Sequence, residues 1–286
     1  MKEKLFNYAG KGISVVHTRD DATDGFDVGL HAHRNYEFYY FISGSGCYAV
    51  EGTEYSLEPG CVLVMREGEA HTAHIYGAPY ERICIHFAPE TMPLLETEIR
   101  ELYRARPLGK GNQFRPDERS SAFLSACMER LCRDCEREGY EDRARTVLGM
   151  LLLELYRLKQ SAPIVTESER EGVAIGDAEA RGNAETVRRI LAYINENLTT
   201  IKNLDVLEQE FFFSKSYINR IFKRATGSSV WDYIVLKRLL LAHALLKEGK
   251  QASIVASECG FFDYSSFYRQ YRRRFGVSPQ SAKKKN

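Results

Sequence analysis

No run in this 286-residue chain is long and apolar enough to cross a bilayer. The longest, Val147–Leu153, has about a third of the residues that a spanning helix needs, so no membrane partner is expected. Met1–Asp20 carries scattered charges and lacks an apolar core of signal-peptide length, so no secretory leader is expected either. An even set of cysteines is also missing. The seven present sit mostly inside apolar stretches, the pattern of reduced thiols in a cytoplasmic protein rather than of a disulfide framework. Cys132-x-x-Cys135 has the spacing of half a metal site, but no second pair lies nearby, and buried helix cysteines are the expected reading. The chain also has almost no net charge, +1 overall, which hides an asymmetry. Residues 185–286 hold 18 Lys/Arg against 9 Asp/Glu, a balance of +9, and residues 1–184 hold 22 against 30, a balance of −8. A basic C-terminal third on an acidic remainder points to a polyanion-binding module attached to a second domain, and the length leaves room for both cores.

The basic third is organised around Ala252–Gly276. Ala252, Val255, Ala256 and Cys259 fall on one face at helical spacing, and Gly260 follows where a helix must stop in a left-handed turn. Asp263 is a good N-cap for a second helix, Tyr264–Phe275, with an apolar stripe of Phe267, Tyr271 and Phe275 and with Arg269, Arg272, Arg273 and Arg274 exposed. Helix, glycine turn and basic helix is the plan of a helix-turn-helix whose second member enters the major groove. The bland alternative is a helical hairpin with a solvated basic face.

These residues also carry a resemblance. Gly260-Phe261, Asp263, Ser265, Phe267, Arg269, Phe275-Gly276 and Ser278-Pro279 resemble the signature that closes AraC-type transcription regulators. Upstream, Ser216–Lys223 followed by Thr226-Gly227 is similar to that family's first helix-turn-helix, with Ser214 as N-cap, and Val230–Leu246 to its linker helix. The resemblance covers Ala184–Pro279 and implies an all-α domain, residues 184–286, of two helix-turn-helix units joined by a linker helix. By position, Ser216, Asn219 and Arg220 in the first recognition helix and Tyr264, Ser265 and Arg269 in the second would face base edges. Arg220 and Arg269 could pair with guanine and Asn219 with adenine. Lys215, Lys223, Arg224, Arg272 and Arg273 are expected on phosphates. Lys283–Lys285 reads as a solvated basic tail. One departure from the pattern is Glu208, where the family usually has a small residue; its stem is expected to snorkel outward, or the first unit to sit at a looser angle.

From Ile13 to Pro89 the chain reads as short strands punctuated by Gly and Pro, which favours a sandwich or small barrel over residues 1–90. Tyr36–Ile42 is one aromatic strand, ended by Ser43-Gly44-Ser45-Gly46. Gly25, His31-Ala32-His33, Glu37 and Gly44 match the first cupin motif; Gly60, Gly68 and His71 match the second, with Arg66 and Ile75 replacing its Pro and Asn. The domain thus resembles a cupin barrel. Strand parity sends His31 and His33 to the same side, which the resemblance makes the interior, where His31, His33, Glu37 and His71 would converge. As metal ligands these four form a set suited to Zn, Mn, Fe or Ni; otherwise they are polar linings of an effector pocket. Tyr39, Phe41, Arg82 and His86 are candidate linings of the same cavity, ordinary core packing being the alternative.

Residues 91–160 show helical spacing over Met92–Tyr103, Asp117–Glu138 and Arg143–Lys159. Val147, Leu148, Leu151, Leu152, Leu155 and Leu158 give the last helix a face wide enough to meet both the barrel and a second subunit, or else to be fully buried in a monomer. Residues 161–183 are polar, acidic and rich in Gly and Ala, and read as a flexible linker. The fold class expected is therefore α+β multidomain, a cupin-like barrel with helices followed by the all-α domain. The function expected is a cytoplasmic, ligand-responsive regulator that binds double-stranded DNA and a small-molecule effector. The AraC resemblance implies an activator acting as a homodimer with RNA polymerase, often on carbohydrate-use genes. No cofactor is required by this reading, a divalent metal in the barrel being optional. The rival from another class is a metal-dependent cupin enzyme tethered to DNA, against which stands the lack of a separate acid/base pair beside the four residues.

Overall fold

The computed structural model describes residues 2–21, 26–133, 135–136, 138–161 and 178–282. The chain forms two compact units, one from 1–28 with 33–175 and one from 29–32 with 176–286.

The first unit is built on a bent sheet of β1 (Lys2–Ala9), β2 (Ile13–Asp20), the first half of β3 (Phe26–His31, whose residues 29–31 are counted with the second unit), β4 (Tyr36–Val50), β5 (Thr53–Ser56), β6 (Val62–Met65), β7 (His71–Phe87) and β8 (Gln113–Phe114). The main path runs β1-β2-β7-β4-β6-β8, with β3 on β7 and β5 on β4. Pairings along the path are antiparallel. The aromatic run of β4 is buried on both faces, and its period of two sorts the side chains. Tyr36, Phe38 and Tyr40, with Val62, Val64, Ile83, Ile85 and Phe87, face a core shared with the helices. Tyr39 and Phe41, with Leu63, Met65, Tyr48 and Tyr80, form a second core on the other face. One sheet face therefore belongs to the helices and the other to the interior.

Ser43–Gly46, expected to end the strand, instead lies inside β4. There the pairing with β7 slips repeatedly between Phe41 and Gly46. Gly44 sits at φ +114, and a Cβ on Gly46 would stand 2.4 Å from the His74 carbonyl, so glycine is what lets the ribbon bend without breaking. The bend has a large consequence. His71 pairs with Val50, thirteen residues along β4 from Glu37. A straight strand would hold them about 43 Å apart, yet His71 Nε2 lies 3.4 Å from Glu37 Oε2. The β4–β7 ribbon has folded over onto itself.

Helices α1 (Glu96–Ile99, continued by a wider turn to Arg104), α2 (Glu118–Leu131) and α3 (Tyr140–Ser161) cover the outer face. Asp117 caps α2 by accepting from Ser120 N at 2.8 Å. α2 stops seven residues short of the span expected. Leu152 and Leu155, expected to be available to a second subunit, are fully buried against the sheet, and on α3 it is Met150 and Leu153 that stand exposed. Cys132 and Cys135, expected as buried cysteines of α2, lie just beyond its end and are half-buried against this core; burial pushes the Cys132 thiol up to about 12.

The second unit contains α4 (Ala178–Glu196), α5 (Asp205–Phe211), α6 (Lys215–Thr226), α7 (Val230–Lys247), α8 (Ala252–Glu258), α9 (Tyr264–Phe275) and a closing turn, Pro279–Ala282. α4 begins inside the stretch read as linker; residues 162–177 of that stretch, like Gly25 and Lys283–Lys285, lie outside the described residues. Ser214, Ser229 and Asp263 cap α6, α7 and α9 with their side chains. Leu239, Ala242, Val255, Ala256, Cys259, Phe267 and Tyr271 make the core under α8 and α9, the small Ala256 lying at their crossing as its size requires.

Candidate functional site

The caps set where α6 and α9 begin, and therefore which side chains point outward. Ser216, Arg220, Lys223 and Arg224 are exposed on α6; Ser265, Arg269, Arg272 and Arg273 are exposed on α9. The two sets have the same spacing, with Lys223 on α6 where Arg272 stands on α9, so each helix presents one stripe of a hydroxyl followed by three cations. Arg220 lies over the Tyr217 ring at 5.2 Å, which holds the guanidinium on the outer surface. Arg272 and Arg273 fall in the last turn of α9, where the helix dipole favours cations.

Three of the residues expected on DNA are engaged elsewhere. Asn219 is half-buried; its Oδ1 accepts from Val230 N at 3.2 Å and its Nδ2 donates to the Lys215 carbonyl, so its amide joins α6 to the start of α7 rather than projecting toward an adenine. The Lys215 ammonium pairs with Asp205 and lies 3.9 Å from Glu208. Tyr264 packs partly on the core and its hydroxyl accepts from Gln280. Glu208 itself is exposed, the outward-facing option named for it.

A further residue braces the second unit from within. Arg238, 3% exposed in the middle of α7, donates to the carbonyls of Leu198 (2.8 Å), Ile201 (2.5 Å) and Gly260 (2.8 Å). It ties the segment after α4 to the turn between α8 and α9. The only hint in the sequence was a charge inside an apolar run.

In the first unit, three imidazoles meet one carboxylate oxygen. Glu37 Oε2 lies 2.7 Å from His33 Nε2, 3.4 Å from His71 Nε2 and 3.5 Å from His86 Nε2. Among the described residues, His33, Glu37 and His86 are the group whose donor atoms could hold a metal ion. His86 is there because the register of β4 and β7 sets it directly opposite Glu37. His31 is not in the group. Strand β3 ends at His31 and the chain turns before Tyr36, so the parity that was to align His31 with His33 does not extend to His33. His31 Nδ1 faces the Gly29 carbonyl at 2.9 Å. Gly25 of the first motif lies outside the described residues.

The backbone fixes the tautomers. His33 Nδ1 lies 2.7 Å from the Asn35 carbonyl and His71 Nδ1 lies 2.8 Å from the Glu69 carbonyl. A carbonyl only accepts, so both Nδ1 atoms carry hydrogen, and in the neutral rings both Nε2 lone pairs point at Glu37. A lone pair facing a carboxylate oxygen is repulsive unless a proton or a cation stands between them. Burial acts to raise the Glu37 carboxyl, but the neighbouring His86 charge, and hydrogen bonds from imidazoles that carry a proton on Nε2, outweigh it and hold Glu37 well below the usual carboxylate range. Burial acts to lower His86, and the Glu37 charge outweighs it and raises the imidazole. Further along the same face, the Tyr39 and Tyr80 hydroxyls are 2.9 Å apart, and Arg82 lies over the Tyr80 ring at 4.4 Å.

A family model of the AraC-like ligand binding domain matches residues 12–153, and a helix-turn-helix domain model matches residues 207–285. The regulatory protein SoxS of Escherichia coli (strain K12) is 31% identical over 94 residues, 32% of this chain and 88% of its own length. The chain belongs to the AraC family of transcription regulators. Over nearly its whole length this AraC-type regulator is similar to the HTH-type transcriptional activator RhaS of Escherichia coli O81 (strain ED1a), at 25% identity over 261 residues, 89% of this chain and 87% of the relative. The virulence regulon transcriptional activator VirF of Yersinia enterocolitica is 28% identical over 164 residues, 57% of each chain. Among solved structures, a variant of ToxT from Vibrio cholerae strain SCE256 is similar at 12% identity and a TM-score of 0.42, covering 95% of this chain and 97% of that one. The paired helix-turn-helix units thus bind DNA, and the N-terminal unit is a ligand-binding domain.

Proposed function

We propose that this regulator is a cytoplasmic homodimer that activates transcription through RNA polymerase when a small-molecule effector binds its N-terminal unit. We also propose that His33, Glu37, His71 and His86 are where the effector is read. The observation that carries the reading is the convergence of three Nε2 atoms, two with fixed tautomers, on one buried carboxylate. Such a cluster is costly to hold unless something bridges it. The names of RhaS and VirF support the activator reading. No helix among the described residues is long and apolar enough to cross a membrane, which accords with the proposed location.

The cluster also fits a divalent cation. The donor atoms of His33, Glu37 and His86 lie within 4.8 Å of one another, the Nδ1–H groups of His33 and His71 turn Nε2 toward the shared centre, and imidazoles with one carboxylate suit Zn, Mn, Fe or Ni. A bound cation would supply a Lewis-acid anchor for oxygen atoms of the effector. His33 and His71 would hold and orient it through their carbonyl-bound Nδ1 atoms. Glu37, kept ionised, would balance its charge.

An effector alters DNA binding only through a difference in affinity between two states of the protein. The His33→Ala, His71→Ala double variant is therefore expected to lose the effector response in a promoter reporter while basal operator binding survives. Metal analysis of the purified chain is expected to find roughly one equivalent, and chelation to mimic the variant. A normal response in the double variant would place the effector elsewhere. A response that persists in chelator with no metal found would leave the cluster as a proton-bridged site for an organic ligand.

A further inference from the structure

Arg82 stands on the interior face of β7, four residues before His86 on the same parity, and Phe41 of β4 is its cross-strand partner. Its guanidinium carbon lies over the Tyr80 ring, 4.4 Å from the ring centre, and its Nη1 is buried with no hydrogen-bond partner. The groups that surround it are the Cys84 thiol and the phenols of Tyr80, Tyr39 and Tyr48. None of these four neighbours is a carboxylate. No ion pair joins Arg82 to a carboxylate of the described residues, and the nearest carboxylate along this face, Glu37, is engaged by three imidazoles.

A largely buried guanidinium ordinarily has an acidic partner, since an uncompensated charge in a low-dielectric site is destabilising. Arg106, another arginine of this unit with a buried side chain, shows the usual solution: it binds Glu69 through both Nη atoms, each at 2.7 Å. At Arg82 the chain supplies the positive half of such a pair and no negative half. The planar fork is matched in shape to a carboxylate or phosphate.

We infer that the effector of this regulator is a small organic anion whose carboxylate or phosphate is bound by Arg82 beside Tyr39 and Tyr80. The inference rests on the reading of the N-terminal unit as the sensor. It narrows the effector from carbohydrates in general to molecules bearing an anionic group, sugar acids and sugar phosphates among them. A neutral ligand would leave the guanidinium uncompensated.

The test uses the full chain and two matched pairs of probes, glucuronate against glucose and glucose 6-phosphate against glucose, with binding followed by calorimetry at constant ionic strength. At least one anion is expected to bind ten-fold or more tightly than glucose, and which one does so distinguishes carboxylate from phosphate. Arg82→Gln is expected to erase that preference, and Arg82→Lys, which keeps the charge but not the fork, to retain part of it. Because the charge is uncompensated without ligand, Arg82→Met is expected to raise the melting temperature of the ligand-free protein and to remove its stabilisation by the preferred anion. Equal binding of charged and neutral probes, a preference that survives in Arg82→Gln, or no binding of either anion at millimolar concentration would overturn the assignment. If the anion binds through Arg82 but leaves operator affinity unchanged, the site stands and the sensor reading falls. If a neutral compound instead drives the response through His33 and His71, the sensor reading stands and the anion site falls.

Discussion

The turn positions of the two helix-turn-helix units make opposite demands on one backbone conformation, and a pair of substitutions separates them. Phe212 follows α5 at φ 57, and Gly260 follows α8 at φ +80. For an L-residue the left-handed region costs about 1–2 kcal/mol. Phe212 is 90% exposed, so little burial offsets that strain. Phe212→Asn keeps a Cβ, and with it similar unfolded-state entropy, but tolerates the conformation; a gain of about 1 kcal/mol is expected. At Gly260 an alanine meets the same backbone penalty and a second one. Its Cβ would stand 2.5 Å from the Thr199 carbonyl and 2.9 Å from Arg238 Cζ. Relief of that clash displaces a guanidinium that satisfies three carbonyls, so Gly260→Ala is expected to cost about 3–5 kcal/mol. Urea unfolding of the full chain, followed by circular dichroism, reads both effects. A change of 1 kcal/mol corresponds to a shift of roughly 4–8 °C in the melting of a domain of this size. The reasoning fails if Phe212→Asn destabilises by more than about 1 kcal/mol, which would reveal a packing role for an exposed ring, or if Gly260→Ala is neutral.

The two recognition stripes separate base reading from phosphate contact. Arg269→Ala is expected to cost roughly 1–3 kcal/mol at the specific site and to relax preference at one base position, whereas Lys223→Ala weakens all sequences alike and lowers the salt slope; footprints and salt titrations on randomised operators check both, and an unchanged Arg269→Ala footprint would misplace α9. On α3, Leu152→Lys is expected to unfold the N-terminal unit by burying a charge. Met150→Lys with Leu153→Lys, on the exposed face, is expected to leave it folded and to convert the proposed dimer to a monomer by sedimentation. A dimer that persists moves the interface off α3.

Local chemistry was enough to read most of the C-terminal unit. Ser214, Gly227, Asp263 and Gly276 bracket α6 and α9 because caps and left-handed stops act within one turn of chain. The exposed Ser-Arg-Lys/Arg stripes follow from those starting points by helical period alone. Strand parity likewise set Glu37 with Tyr39 on one side of their strand and Arg82 with His86 on one side of theirs, and the cupin resemblance named that side as a candidate interior.

What lay beyond the sequence were the contacts between segments distant along the chain. Glycines 44 and 46 could be read as a turn, but not as the bend that folds a continuous ribbon and carries His71 from the far end of β4 back to Glu37. His86 entered the cluster, and His31 stayed out, because the register of β7 and the end of β3 are set by cross-strand pairing rather than by motif spacing. Asn219 went to the start of α7, and Leu152 and Leu155 into the core, because a helix periodicity names a face and not its occupant. Arg238 acquired its three carbonyls only when α4, α7 and the turn after α8 came together. Short-range sterics and hydrogen bonding write the elements into the sequence; which distant groups meet is settled by how those elements pack.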